Sequence, residues 1–215
     1  MKPRAMLLCS LMILAMSAVT AWFYPSLPEV IPTHWNFAGQ VDGHGPRWHL
    51  WLVGPGLMTG FLLLGAVLPW LSPKQFQVSS FASTYSYLMA VPIVLFAFIE
   101  IVMLSSALGG RLDMVRLLPA MVFVVLILVG NQMGKVRRNF FMGIRTPWTL
   151  ASERVWYATH RLAGKLMVGS GLLGLFAVGL GAPHWLLLTV TLAWALVAVL
   201  YSLVCYKQLE RAGQL

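Results

Sequence analysis

Apolar residues come in six long runs, near positions 5–23, 50–71, 81–108, 115–133, 164–182 and 184–205, with polar stretches between them. A hydrocarbon span takes roughly 20 mainly apolar residues, which each run approaches or exceeds. The pattern predicts an all-α, polytopic membrane bundle of about six transmembrane helices. Composition agrees. Of 215 residues, 59% are hydrophobic and 10% charged, where a soluble domain carries about 25% charged residues. So little polar side chain cannot cover a water-facing surface.

Two polar stretches stand out against this background. The first, residues 24–49, follows the first span. Pro25, Pro28 and Pro32 exclude a regular helix, because each fixes φ and lacks an N–H. Gly39, Gly43, Gly45 and Pro46 mark turns, and Trp22, Trp35, Trp48 and Trp51 suit the membrane interface. An ordered loop of this length is commonly functional. It holds His34, His44 and His49 with Glu29 and Asp42, but the spacing fits no zinc motif. The expectation is that His34 and Asp42 hydrogen-bond turns and pack the loop, with no metal or other cofactor implied.

The second stretch carries seven of the fifteen basic residues, between Lys135 and Lys165. With both termini cytoplasmic, twelve basic residues fall inside and three outside (Arg47, Arg111 and Arg116), the asymmetry that orients membrane proteins. Anionic lipid headgroups then account for the net charge of +9, and no nucleic-acid partner is expected. This orientation also favours a retained first helix over a cleaved signal peptide. The expected division is an N-terminal domain, 1–75, with two spans and the outer loop, and a second domain, 76–215, with four spans and a basic cytoplasmic segment, 134–165. Cys9 and Cys205 read as apolar filler.

Within the spans, Glu100 is the one acidic residue in a long apolar run. Such residues face an interior or a wet cavity, so Glu100 reads either as a ligand or proton site or as a helix-packing hydrogen bond. Gly54-Pro55-Gly56 predicts a break at the start of the second helix, Pro92 an interruption of the third, and Pro119 an irregularity early in the fourth. The glycines of the fifth span, with Ser170 and Gly174 at small-xxx-small spacing, predict close helix packing, with dimerisation a second use. Thr146-Pro147 is a helix start; Thr149, with Glu153 in the first turn, is another. A short interfacial helix is expected from about Leu150 to Ala163, with Leu150, Trp156 and Leu162 in lipid and Arg154, His160 and Arg161 in water.

The motifs carry a resemblance. Asn131, Met133, Gly134 and Lys135, then the run Asn139-Phe140-Phe141-Met142-Gly143-Ile144-Arg145-Thr146-Pro147-Trp148-Thr149, then Glu153, Trp156, His160, Arg161, Gly164 and Lys165, resemble the signature of the SdpI family of bacterial integral membrane proteins. Pro32, Thr33, His34, Trp35, Asn36, Gly39, Asp42 and Gly43 resemble the short N-terminal domain that accompanies it. The family's best-known branch protects a producing bacterium from its own secreted peptide toxin and recruits a small cytoplasmic repressor. By that resemblance, Pro32, His34, Asn36, Gly39 and Asp42 would sense toxin. Asn131, Gly134, Lys135, Gly143, Arg145, Thr146, Trp148, Glu153, Trp156, His160 and Arg161 would form the cytoplasmic partner face. The residues themselves leave a small transporter or channel built around Glu100 as the alternative. They supply no nucleophile–base set or phosphate loop for an enzyme.

Overall fold

The computed structural model describes every residue except Phe37 and the side chain of Gln75. Among the described residues, six helical segments are long and apolar enough to cross a membrane: Pro3–Ser26, His49–Leu71, Val78–Ala107, Met114–Met133, Glu153–Gly179 and His184–Arg211. The bundle expected from hydropathy is the one observed. Its elements are helix α1 (Pro3–Phe23), strands β1 (Val30–Trp35) and β2 (Val41–Pro46), and helices α2 (His49–Trp51), α3 (Leu57–Leu71), α4 (Ala82–Ala107), α5 (Met114–Met133), α6 (Pro147–Ala151), α7 (Glu153–Gly179) and α8 (His184–Arg211). The chain forms two compact units, Met1–Val67 with Ser86–Leu118, and Leu68–Tyr85 with Pro119–Leu215.

The first unit holds α1, the strands and most of α4 around two apolar clusters. One contains Cys9, Met16, Met58, Ile93 and Ala97. The other contains Leu27, Ile31, Leu50, Met103 and Leu104, and sits against the strands. Where the sequence predicts an irregular loop, β1 and β2 pair antiparallel. Gly43 and Gly45 therefore lie in a strand instead of marking turns. Their missing side chains make room for neighbours: a Cβ on Gly43 would press on His34, and one on Gly45 on the His49 ring. Gly39 does turn the chain, at φ 72.

The prolines bend expectations too. Leu52–Gly56 is a π-helical turn joining α2 to α3, so Gly54-Pro55-Gly56 widens the helix without ending it. Pro92 and Pro119 lie inside uninterrupted α4 and α5; in a membrane helix the freed backbone groups are satisfied locally.

In the second unit, α7 and α5 approach closely through glycine. A Cβ on Gly164 would meet the Gly130 carbonyl, and Cβ atoms on Gly171 and Gly174 would overlap Ile127 and Phe123. The small residues of the fifth span thus serve packing, as expected. The separate interfacial helix is not observed. α6 is a single short turn, Ser152 is extended at φ −130, and α7 runs unbroken from Glu153 through the span. The reason is the stripe Trp156, Thr159, His160, Ala163 and Met167, buried within the protein. At helical spacing, it continues directly into the buried face of the span.

Candidate functional sites: a hairpin, an intramembrane carboxyl and a basic loop

The hairpin turn is built from its own polar atoms. Asn36 Oδ1 accepts from the backbone N–H groups of Ala38 (2.9 Å) and Gln40 (3.0 Å), an Asx arrangement that stabilises the turn locally. The base is fixed by Arg47, whose Nη1 donates to the carbonyls of Leu27 (3.2 Å) and Tyr24 (3.4 Å) and whose guanidinium lies 4.8 Å from the Tyr24 ring centre. Register shifts flank His34, and such bulges re-aim a side chain. His34 Nδ1 lies 2.5 Å from Asp42 Oδ1, with the two side chains 71% and 44% exposed. The pair is a bonded strand-to-strand contact as expected, but it is presented to solvent. Among the described residues, no three of His, Cys, Asp and Glu gather as a metal-binding group.

Below the hairpin, Glu100 is fully buried. Its Oε1 accepts from the Thr20 hydroxyl of α1, and its Oε2 has no hydrogen-bond partner. The backbone of Gly54, in the π-turn, lies so close that a Cβ there would collide with the carboxyl.

The basic loop of the second unit is held by a network centred on α7. The His160 ring stacks on Trp156 at 4.0 Å. Its Nε2 accepts from the Ile144 N–H at 2.9 Å, so Nδ1 carries the hydrogen and donates to the Trp156 carbonyl at 2.8 Å. Trp156 Nε1 donates to the Val136 carbonyl at 2.7 Å. Gly143, at φ 103, passes directly over the His160 ring, where a Cβ would overlap Nε2. Asn139 is buried with its amide fully used: Nδ2 donates to the carbonyls of Arg137 (2.8 Å) and Met142 (3.2 Å), and Oδ1 accepts from the N–H groups of Phe141 (2.7 Å) and Met142 (2.8 Å). Thr146 and Thr149 cap each other's backbone N–H at the start of α6 (2.9 and 3.3 Å), as the Thr-Pro start predicts. Trp148 Nε1 donates to Ser202 of α8 at 2.5 Å.

The model of the SdpI/YfhL protein family matches residues 135–202, and that of a domain of unknown function (DUF1648) matches residues 11–59. Immunity protein SdpI of Bacillus subtilis (strain 168) is 27% identical over 204 residues, which cover 94% of this chain and 96% of that protein. No solved structure matches the chain. With its six spans, this is a multi-pass inner-membrane protein.

The stretch matched by the SdpI/YfhL model takes in the basic loop, α6, α7 and most of α8. Its signature residues divide in two. Trp156 and His160 are buried, with Gly143 and Thr146 in the same network, so His160 is not the water-facing residue expected and Trp156 packs in protein instead of lipid. Asn131, Lys135, Arg145, Glu153 and Arg161 are exposed. Gly134 sits against Arg161, and Arg145 donates to the Phe140 carbonyl at the loop surface. The N-terminal match covers the hairpin and the π-turn, while Glu100 lies outside both matches. Sequence reasoning assigns no site role to Asn139, Thr149, Thr20 or Gly54, reading Thr149 only as a helix start and Gly54 only as part of a helix break. Asn139 and Thr149 stood inside the quoted motif as polar residues able to bond their own backbone, a signal that was available. Thr20 and Gly54 gain their meaning only from the neighbour across the bundle.

Proposed function

We propose that this protein confers resistance to a secreted antimicrobial peptide and relays its presence to a cytoplasmic regulator. The reading rests on one observation: the likeness to immunity protein SdpI runs nearly end to end, over 94% of this chain and 96% of that protein, instead of being confined to one stretch. In this reading both termini are cytoplasmic, as the inside excess of Lys and Arg favours. The hairpin faces outward with His34 and Asp42 as the peptide-sensing pair, supported by Pro32, Asn36 and Gly39. The exposed cationic side chains of the loop, Lys135, Arg145 and Arg161, with Trp148 beside them, meet the regulator. The buried signature residues act as the frame that holds that face, and no catalysis is assigned to any of them.

The test is survival of a sensitive bacterium expressing the protein, challenged with a peptide toxin of the family type and with the host's own secreted peptides. Protection by the wild type, lost in His34→Ala at equal membrane level, is the expected result. No protection from any peptide at normal expression would remove the immunity reading. The partnerless oxygen of Glu100 favours a transport reading, which ion flux in reconstituted vesicles would separate from the first.

A further inference from the structure

Three elements of the first unit each carry one small or polar residue at the level where its two apolar clusters meet. On α1, Thr20 lies between Met16 of the Cys9 cluster and Phe23, which packs against the Leu27 cluster. On the π-turn, Gly54 lies between Val53 and Met58, which belong to different clusters. On α4, Glu100 lies between Ala97 and Met103. The carboxyl is thus the polar centre of an otherwise apolar stack. The titratable or charged groups on the elements around it are Arg4 and Cys9 on α1, Tyr24 after it, His49 on α2, and Tyr85 and Tyr87 on α4. Among the described residues none of them forms an ion pair or hydrogen bond with Glu100, whose one bonding partner is Thr20.

An ionised carboxylate in apolar surroundings without a counter-charge is very costly. Something positive must neutralise this one. A metal ion needs several oxygen ligands, and here the carboxyl meets one hydroxyl, with the Gly54 backbone so near that no methyl group fits. A proton needs no room. We propose that Glu100 is an intramembrane proton-binding site, closed by Thr20 on one oxygen and by the Gly54 backbone on the other. Release of the proton would leave a bare charge between the clusters, so it requires α1, the π-turn and α4 to part and admit water. Proton occupancy and helix packing are therefore one equilibrium at this level. The inference is independent of the immunity reading.

The experiment is infrared spectroscopy of the full chain in lipid nanodiscs at neutral pH, comparing wild type with Glu100→Gln and Thr20→Val. The other five acidic side chains, Glu29, Asp42, Asp113, Glu153 and Glu210, are exposed, so the Gln difference isolates this carboxyl. The expected result is a protonated-carboxyl C=O band in the wild type, lost in Glu100→Gln and moved to higher frequency in Thr20→Val as its hydrogen bond disappears. Circular dichroism and the melting temperature of Glu100→Gln should match the wild type, keeping the lost band distinct from misfolding. A folded wild type without the band would overturn the proposal. So would a band abolished when sodium replaces potassium, which would make the bound cation a metal.

Discussion

Both ring nitrogens of His160 are committed to backbone partners, so the imidazole works as a buried bracket between the basic loop and α7. Truncation would strand the Ile144 N–H, and leaving a buried donor unpaired costs about 1–3 kcal/mol. His160→Ala should therefore lower the melting temperature and open residues 139–146 to protease, whereas Arg161→Ala should do neither. Equal protease resistance in His160→Ala and the wild type would show the bracket to be dispensable. The exposed His34–Asp42 pair makes the opposite case. Surface ion pairs contribute roughly 0–1 kcal/mol, so Asp42→Ala should leave the melting temperature nearly unchanged while abolishing protection. Loss of protection together with a lower melting temperature would make the pair structural. The sequence distinguishes these two histidines poorly. A basic, aromatic segment looks wet and interfacial, and only the stripe that α7 turns inward puts His160 at full burial.

At the scale of elements, glycine decides how near two backbones come. A Cβ on Gly164 would meet the Gly130 carbonyl, and one on Gly54 would meet the Glu100 carboxyl. Overpacking a filled interior costs typically 1–3 kcal/mol, so Gly164→Ala and Gly54→Ala should each lower the melting temperature in detergent. Gly169→Ala, with open space around its position, is the control and should be neutral or slightly stabilising. An unchanged melting temperature in Gly164→Ala would mean that α5 and α7 give way there. The helix start at Thr146-Pro147 was legible because its capping residues, Thr146 and Thr149, lie three positions apart in sequence. The hairpin was not. Proline and glycine dominate 24–49 and speak for turns, while Ile31 of β1 is buried with Leu27, Leu50, Met103 and Leu104, neighbours distant in sequence. Similarly, the Gly-Pro-Gly triplet signals a break in isolation, and the π-turn absorbs it within the continuous helical segment His49–Leu71.

At the scale of the whole molecule, the spans were legible because the bilayer asks only for length and apolarity. Orientation comes from a different quantity, the placement of Lys and Arg. The seven basic residues between 135 and 165 are the largest single contribution to it. Their loop is short, within the range where such charges count, and its fold leaves Lys135, Arg137, Arg145, Arg161 and Lys165 at the surface. The network of Asn139, Trp156 and His160 ties the loop to the start of α7, so on the proposed orientation the loop cannot be drawn across the bilayer without breaking it. Fusions should report this directly. A fluorescent protein fused after Leu215 should be bright in the cytoplasm, and alkaline phosphatase inserted at 109–112, between α4 and α5, should be active. Replacing Lys135, Arg137, Arg145, Arg161 and Lys165 together by Gln should reduce both signals. If both persist undiminished, the remaining basic residues suffice for orientation.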